Sequence, residues 1–246
     1  GIAADIREVL HELNKEPVFL PRQEWMETIR RWKTEHPLAY HPVPDKLKPQ
    51  QVIETLYRLT DGKAVIVPGV GQHQMWAAQF YQYTRPRQLL TSGGLGTMGF
   101  GLPAAMGAKL ALPEELIINI DGDGSFQMNI QELGTIAVEE IVVKMIILNN
   151  QHLGMVAQIE DLFYRGKRGN TDLRTKENKP FPHFVGIANS YDIPARDVFS
   201  ADELEDAIRE MLETPGPFLL DCHTVYQDHV LPMIPGGKSC KDMITE

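Results

Sequence analysis

The stretch Ile117–Asn150 opens with IINIDGDGSF and closes with MIILNN. Two short apolar runs within and beside it, Leu116–Ile120 and Val142–Leu148, have the length of buried strands. Two such strands joined by a helix are parallel with a right-handed crossover, so their carboxyl ends meet at the edge where open α/β sheets bind ligands. Apolar residues recur with helical period between them, at Phe126, Ile130, Leu133, Ile136 and Ala137.

The ends of these two strands carry oxygen ligands. Asp123 supplies a carboxylate and Asn150 an amide oxygen, the ligand type that Mg²⁺ prefers and completes with phosphates. Ser125 and the backbone N–H groups that open the helix are donors for phosphate oxygens. The pattern predicts a Mg²⁺–diphosphate site. The alternative is two ordinary polar strand ends, since Gly-Asp-Gly alone is a common turn signal.

From about Leu47 onward, apolar strand-like runs alternate with helix-period segments. This alternation predicts an α/β fold, a doubly wound and mostly parallel sheet with helices on both faces. The further strands are predicted at Ala64–Val67, Gln88–Thr91, Asp197–Phe199 and Phe218–Cys222. The further helices are predicted at Pro49–Leu59, Gln72–Tyr83, Met98–Leu112, Gly154–Tyr164, Phe184–Tyr191 and Asp202–Glu213.

Residues 1–46 have a different pattern. Helix-period segments at Ala3–Leu13 and Gln23–His36 are separated and followed by prolines, among them Pro17 and Pro21. This predicts the end of a preceding domain plus a linker, and a ligand-binding domain over residues 47–246. Pro37, Pro42 and Pro44 follow the second helical segment. Trp25 and Trp32, which lie within it, are expected to be packing anchors for the linker.

The composition argues against a membrane protein, a nucleic-acid-binding protein and a disulfide-rich protein. The 246 residues are 43% hydrophobic with a formal net charge of −9 and a mean hydropathy of −0.23. No apolar run approaches the roughly 18 residues that span a bilayer, and no large basic face is evident. We therefore expect neither a membrane nor a nucleic-acid partner. Cys222 and Cys240 lack metal-like spacing and predict no disulfide framework, so a reducing compartment is the simplest setting.

Gln72 and His73 follow a predicted strand and the turn Gly69–Gly71, and they open a helix. Helix N-termini in this position bind anions, so both residues are candidates for phosphate contact. The alternative for His73 is a helix cap or a surface side chain.

Gly94–Gly99 matches the glycine spacing of a dinucleotide-binding turn. That function needs an acidic residue that closes a second strand about 20 residues later. Asp121 has roughly this spacing, but it begins the Asp-Gly-Asp-Gly-Ser turn already assigned to the metal site. The dinucleotide alternative is therefore disfavoured.

The GDGS turn at Gly122–Ser125, followed by the pair Asn149-Asn150, resembles the signature of thiamine-diphosphate enzymes. From about Leu47 onward the chain is similar to the large catalytic subunit of acetohydroxyacid synthase (acetolactate synthase). Five segments carry this resemblance: GVGQHQMWAAQ at Gly69–Gln79, LTSGGLG at Leu90–Gly96, MGFGLPAA at Met98–Ala105, NNQHLGMV at Asn149–Val156 and HVLPMIP at His229–Pro235.

This resemblance implies a thiamine-diphosphate-binding fold, with thiamine diphosphate and Mg²⁺ as cofactors. It implies a transferase that condenses pyruvate with a second 2-keto acid, giving 2-acetolactate or, from 2-ketobutyrate, 2-aceto-2-hydroxybutyrate, in branched-chain amino-acid biosynthesis. The implied assembly is a homodimer or tetramer, with a regulatory small subunit possible. The implied location is the bacterial cytoplasm or the matrix of a plastid or other organelle.

The resemblance also assigns site residues. Met98 would hold the cofactor in its bent form and, with Met155, would shape the substrate pocket. Metal ligands would be Asp123, Asn150 and His152, the last through its backbone carbonyl. Cofactor-binding residues would be Val70, Gly71, Gln72, His73, Gly96, Met98, Gly124, Ser125, His152, Leu153, Gly154 and Met155.

The family's catalytic glutamate comes from an N-terminal pyrimidine domain of the neighbouring subunit, and its FAD from a central domain. We expect neither domain in this sequence, apart from the last helix of the central one, so the isolated chain should bind cofactor weakly and be inactive. Two residues depart from the family pattern at the substrate and herbicide channel. Ile159 stands where tryptophan is typical, and Gly236 where plant members usually carry serine, which predicts weak sulfonylurea-type inhibition.

Three alternatives stay open. The chain could belong to another pyruvate-using thiamine enzyme, although the Gln72–Trp76 and His229–Pro235 segments disfavour it. It could instead be a truncated, non-catalytic binding or assembly module. The segment Arg165–Lys179, with six basic residues, is either a solvated loop or a lid that orders on cofactor binding.

Overall fold

A computed structural model describes residues 1–15, 22–177, 179 and 181–245. The chain divides into two compact units, Gly1–Ala39 and Tyr40–Glu246. The first unit contains helices α1 (Ile6–Lys15) and α2 (Gln23–Glu35). Within α2 the rings of Trp25 and Trp32 pack edge to face, with centroids 5.5 Å apart. Pro17 and Pro21 lie outside the described residues, and the assignment of this unit to a preceding domain stays a prediction.

The second unit is built on a five-stranded sheet in the order β1-β2-β3-β5-β4. Every pairing between the described strands is parallel, which confirms the predicted α/β class. The strands are β1 (Val65–Pro68), β2 (Ile117–Gly122), β3 (Lys144–Asn149), β4 (Ala195–Val198) and β5 (Phe218–His223).

Helices cover both faces of the sheet, as a doubly wound fold requires. Ile66, Ile118 and Ile146 join a core with α3, α4 and α10. The alternate strand residues, such as Ile117 and Met145, join a second core with α5, α7 and α9. Burial on both faces explains why the strands are continuous apolar runs. The helices are α3 (Pro49–Leu59), α4 (Gln72–Phe80), α5 (Gly101–Ala111), α6 (Asp123–Phe126), α7 (Glu132–Val138), α8 (Gly154–Phe163), α9 (Phe184–Ser190) and α10 (Ala201–Glu213).

Two predicted elements differ from the structure. The strand predicted at Gln88–Thr91 is wrong, because this segment touches the sheet only through an isolated bridge between Leu89 and Ile66. The carbonyl of Gln88 and the N–H of Leu90 each make one backbone hydrogen bond with Ile66, at 2.8 and 3.0 Å, and the described residues show no further ladder bonds from this segment. The crossover helix between β2 and β3 is also interrupted, since a 3₁₀ turn at Gln127–Asn129 separates α6 from α7.

None of the described helices combines the length and apolar character needed to cross a membrane.

Candidate metal and diphosphate site

Three loops meet at the carboxyl ends of β1, β2 and β3, which are neighbours in the sheet. Gly122 at the end of β2 is the register partner of Leu148 near the end of β3. The predicted side-by-side placement of these strand ends is therefore confirmed. The loops enclose a cavity of ≈ 230 Å³.

The cavity lining includes every residue that the sequence analysis assigned to the site. The structure thus brings these residues together, while the contacts predicted for each remain predictions. The lining residues are Val70, Gly71, Gln72, His73, Trp76, Gly96, Met98, Gly122, Asp123, Gly124, Ser125, Leu148, Asn150, His152, Leu153, Gly154, Met155 and Val156.

Asp123 is the first residue of α6 and only 1% exposed. Its Oδ2 has no hydrogen-bond partner among the described residues. Burial, and then the charge of Asp221, raise the pKa of this carboxyl to about 8. A buried carboxylate oxygen without a partner is costly, and a bound cation would remove that cost.

Asn150 lines the same cavity and is held in a fixed orientation by two hydrogen bonds. Its Nδ2 donates to Oε1 of Gln72 at 3.4 Å, and its Oδ1 accepts the backbone N–H of His152 at 3.0 Å. The amide oxygen keeps a second lone pair for a ligand. Asp123 and Asn150 therefore offer two hard oxygen atoms in one cavity, and this donor set fits Mg²⁺.

His73 is buried, which contradicts the alternative of a surface side chain. Its ring lies against the turns after β1 and β2, where a Cβ on Gly122 would stand 2.6 Å from its Nδ1. Its Nε2 lies 3.3 Å from Oδ1 of Asp121. Glycine at position 122 is thus required by the close approach of the imidazole, and this approach fixes the ring at the cavity wall.

Ser125 connects the loops that form the cavity. Its Oγ accepts the backbone N–H groups of Val70 at 3.3 Å and Gly99 at 3.1 Å. Its own hydroxyl hydrogen remains as a donor for a phosphate oxygen.

The side chain of Gln72 is engaged in hydrogen bonds within the protein, while its predicted contact with phosphate stays a prediction. Its Nε2 already donates to Oε1 of Gln158 at 2.8 Å and to the carbonyl of Asp228 at 2.7 Å. Its Oε1 orients Asn150. The donor that Gln72 retains for an anion is its backbone N–H in the first turn of α4.

The imidazole of His152 is committed to a polar network. Its Nε2 lies 2.8 Å from Nη1 of Arg168, and its ring packs edge to face on Tyr226 with centroids 4.2 Å apart. Burial, and then the charge of Arg168, lower the pKa of His152 and favour the neutral ring. These contacts agree with the expectation that His152 offers the metal its backbone carbonyl, which stays a prediction.

Sequence reasoning missed the network behind His152. Arg168 donates from Nε to Oδ1 of Asp161 at 3.0 Å, and Nε2 of His229 lies 3.0 Å from Oδ2 of the same carboxylate. The i, i+3 spacing of Gln158 and Asp161 on α8 placed them on one face. Their partners come from distant parts of the chain, which no local pattern reveals.

The segment Arg165–Lys179 is partly built into the site. Backbone hydrogen bonds join Leu153 to Thr171 at 2.8 Å and Leu173 to Gln151 at 2.9 Å. Thr171 is buried, so the solvated-loop prediction is wrong for this part of the segment. The lid prediction remains untested, and Asn178 lies outside the described residues.

The dinucleotide alternative conflicts with the structure. An isolated bridge at Leu89, and not a strand, precedes the Gly94–Gly99 turn. Asp121 is fully buried, and a Cβ at Gly69 would stand only 1.9 Å from its Oδ1. That carboxylate accepts the backbone N–H of Gly122 at 3.0 Å and is inaccessible to a ribose.

The chain is similar to proteins of known activity. It is 51% identical over 254 residues to acetolactate synthase 1, chloroplastic, of Nicotiana tabacum, which covers 100% of the chain and 38% of that relative. It is 49% identical over 254 residues to acetolactate synthase, chloroplastic, of Arabidopsis thaliana, and this match covers 100% of the chain and 38% of that relative. It is 53% identical over 224 residues to acetolactate synthase 1, chloroplastic, of Zea mays, and this match covers 90% of the chain and 35% of that relative. The chain therefore spans little more than a third of the length of these relatives.

A family model agrees with the geometry of the cavity. The model described as thiamine pyrophosphate enzyme, C-terminal TPP binding domain, matches residues 69–222. This range is more than half of the chain, begins at the end of β1 and ends within β5. The chain belongs to this family of C-terminal thiamine-pyrophosphate-binding domains.

Proposed function

We propose that this chain is the thiamine-diphosphate- and Mg²⁺-binding part of an acetolactate synthase catalytic subunit. The observation that carries the proposal is the unpartnered, buried Oδ2 of Asp123 in the same cavity as the oriented amide of Asn150. Identities of 49–53% to acetolactate synthases support the choice of reaction, the condensation of pyruvate with a second 2-keto acid.

The residues of this chain bind and position the cofactor. Asp123 and Asn150 would hold Mg²⁺ together with the carbonyl of His152, and Mg²⁺ would hold the diphosphate. Ser125 and the first N–H groups of α4 would donate to phosphate oxygens. The bound cofactor supplies a carbanion-stabilising centre that permits carbon–carbon bond cleavage and formation beside a keto group.

Met98 and Leu153 belong to the apolar part of the cavity lining. A Cβ at Gly124 would stand 3.7 Å from Cε of Met98 and 2.7 Å from Cδ2 of Leu153. Both side chains therefore lie near Gly124, which supports the proposal that Met98 holds the cofactor in its bent form. Met155, at the start of α8, would shape the adjoining substrate pocket.

The remaining partners are part of the same proposal. They are 2-ketobutyrate as second substrate, a catalytic glutamate from the pyrimidine domain of a neighbouring subunit, FAD from a central domain, pairing of subunits, and a regulatory small subunit. A plastid location is supported by the names of the relatives, each of which is chloroplastic. Ile159 on α8 is 39% exposed, and it offers no indole for a channel-blocking herbicide to stack on, which supports weak sulfonylurea inhibition.

Calorimetry tests the cofactor site directly. Thiamine diphosphate is titrated into the chain with and without Mg²⁺, and into the variants Asp123→Ala and Asp206→Ala. We expect Mg²⁺-dependent binding that weakens at least about tenfold in Asp123→Ala, a loss of about 1.4 kcal/mol or more. Asp206 is an exposed carboxylate on α10, so its removal should leave affinity unchanged. Metal-independent binding, or equal affinity in Asp123→Ala, would exclude the proposed site.

A second experiment tests the reaction. The chain is mixed with a separately expressed portion of an acetolactate synthase that contains the pyrimidine and flavin domains, and acetolactate formed from pyruvate is measured. We expect the mixture to be active and each part alone to be inactive. An inactive mixture that still binds cofactor would indicate a non-catalytic binding module instead. A different product from pyruvate would indicate another thiamine enzyme.

A further inference from the structure

A second polar cluster lies at the carboxyl ends of β4 and β5. Asp197 and Asp221 are direct register partners on these parallel strands, so their carboxylates stand side by side on one face. His223 follows two residues after Asp221 on that face. Its Nε2 lies 2.7 Å from Oδ1 of Asp197 and 3.6 Å from Oδ2 of Asp221. One ligand atom from each residue lies within 4.8 Å of the other two.

The two carboxylates would repel each other if both were charged, and a cation between them would relieve that repulsion. Like charges that are directly opposite on neighbouring strands destabilise a sheet. The Asp221 side chain is only 2% exposed, and burial raises its pKa to about 6. Its two oxygens nevertheless accept hydrogen bonds from Nδ2 of Asn149 at 3.0 and 3.2 Å. Such outer hydrogen bonds are typical of carboxylates that are oriented toward a metal.

The nitrogen ligands are also positioned. The ring of His223 stacks on Phe199, with centroids 4.4 Å apart and planes 11° apart, which fixes the direction of its Nε2. His183 stands at the edge of the cluster, with Nε2 3.9 Å from Oδ2 of Asp197. Its side chain is 74% exposed, so it can rotate toward the cluster as a fourth ligand.

The ligand set identifies the class of metal. Imidazole together with carboxylate favours zinc-class ions over Mg²⁺, which prefers oxygen alone. Zn²⁺ bonds of about 2.0–2.2 Å in a tetrahedron place neighbouring ligand atoms roughly 3.3–3.6 Å apart. The 3.6 Å separation between Nε2 of His223 and Oδ2 of Asp221 matches that spacing. The 2.7 Å separation between Nε2 of His223 and Oδ1 of Asp197 is a hydrogen bond, and these two atoms would move apart when a metal replaces it. We propose that Asp197, Asp221, His223 and His183 bind a zinc-class divalent cation, which fastens β4 to β5.

This site is distinct from the Mg²⁺ site, because β3 lies between β2 and β5 in the sheet. The inference does not depend on the proposed enzymatic function. The competing interpretation is a hydrogen-bonded triad in which His223 bridges two carboxylates and no metal binds.

Metal titration of the full chain separates these interpretations. The protein is stripped with chelator and given saturating Mg²⁺ and thiamine diphosphate, so that the first site is filled. Zn²⁺ binding is then followed by calorimetry, and Co²⁺ binding by visible absorption, which reports tetrahedral coordination. The variants His223→Gln and Asp197→Asn remove one ligand each from different strands. His41→Gln, at an exposed histidine of the same unit, is the control.

We expect one equivalent of Zn²⁺ to bind to the wild type and to His41→Gln with equal affinity. His223→Gln and Asp197→Asn should each weaken binding at least about tenfold, and His183→Asn by a smaller factor. Zn²⁺ should raise the Tm of the wild type and not that of His223→Gln. Circular dichroism identifies any variant that fails to fold, and the remaining one then decides the test. The proposal fails if Zn²⁺ does not saturate a site, or if both ligand variants bind it as tightly as the wild type.

Discussion

The two walls of the cofactor cavity are built in different ways. The front wall consists of the turns after β1 and β2, where glycines bring backbone and buried side chains into close contact. The rear wall consists of side chains from α8, the following segment and the C-terminal tail. Its hydrogen bonds join residues far apart in sequence, such as Gln72 with Gln158 across 86 positions and Asp161 with His229 across 68.

This difference determines which changes each wall tolerates. In the front wall an added methyl group has no room, because a Cβ at Gly69 or Gly122 would overlap atoms of buried side chains. In the rear wall a lost polar group leaves a buried partner unsatisfied, since Gln158 and His152 are both buried. Substitutions that add side-chain atoms should therefore damage the front wall, and substitutions that remove a polar group should damage the rear wall.

The largest effect is expected from Gly122→Ala. Its new Cβ would stand 2.6 Å from Nδ1 and 3.0 Å from Cε1 of His73, and the buried ring must shift into the cavity. We expect the unfolding free energy to fall by about 1–3 kcal/mol. We also expect Mg²⁺-dependent affinity for thiamine diphosphate to fall at least about tenfold. Chemical denaturation and calorimetry measure the two effects.

Gly107→Ala is the matched control for that substitution. Gly107 lies on the exposed side of α5, and a Cβ there has no described neighbour within 4 Å. Alanine should stabilise the helix by about 0.5–1 kcal/mol and leave cofactor affinity unchanged. If Gly122→Ala behaved like Gly107→Ala, the front wall would have spare room and the contrast between the walls would be lost.

A smaller effect is expected from Arg168→Met in the rear wall. The substitution removes the contact with His152 and the ion pair with Asp161, while the aliphatic part of the side chain is kept. The site loop should loosen, with a roughly threefold to tenfold loss of cofactor affinity, or about 0.7–1.4 kcal/mol. Lys167→Met, which removes an exposed charge from the same segment, should change nothing. Equal affinities in both variants would show that the network does not support the cavity.

The meeting of the strand ends was predictable from the sequence and the hydrogen bonds of the rear wall were not, for a physical reason. Asp123 and Asn150 follow apolar runs directly, so strand order and the parallel crossover were enough to bring them together. Gln72 was placed correctly at a helix start, but its side chain proved to be engaged with Gln158 and Asp228. These partners lie in other elements, and their choice depends on tertiary packing. The isolated bridge at Leu89 shows the same limit of sequence-based prediction. How many residues of this segment pair with β1 depends on tertiary packing at the edge of the sheet.

The smallest effect on cofactor affinity is expected from a buried charge that lies in neither wall. Lys144 begins β3, the strand that ends at the site, and its Nζ donates to the carbonyls of Thr214 at 2.6 Å and Gly216 at 2.7 Å. Burial, and then the charge of Lys109, lower its pKa to about 8.

Between about pH 8 and the ordinary lysine value near 10.4 the unfolded chain therefore binds more protons than the folded chain, so this group makes stability rise with pH. Lys144→Met should remove that rise, on the order of 3 kcal/mol between pH 7 and 10.5, relative to the exposed-site control Lys238→Met. Denaturant titrations at both pH values measure the difference, and cofactor affinity at pH 7 should stay within about twofold of the wild type. A larger loss of affinity would mean that the base of β3 transmits strain to Asn150, and that the site depends on the whole strand as well as on its two walls.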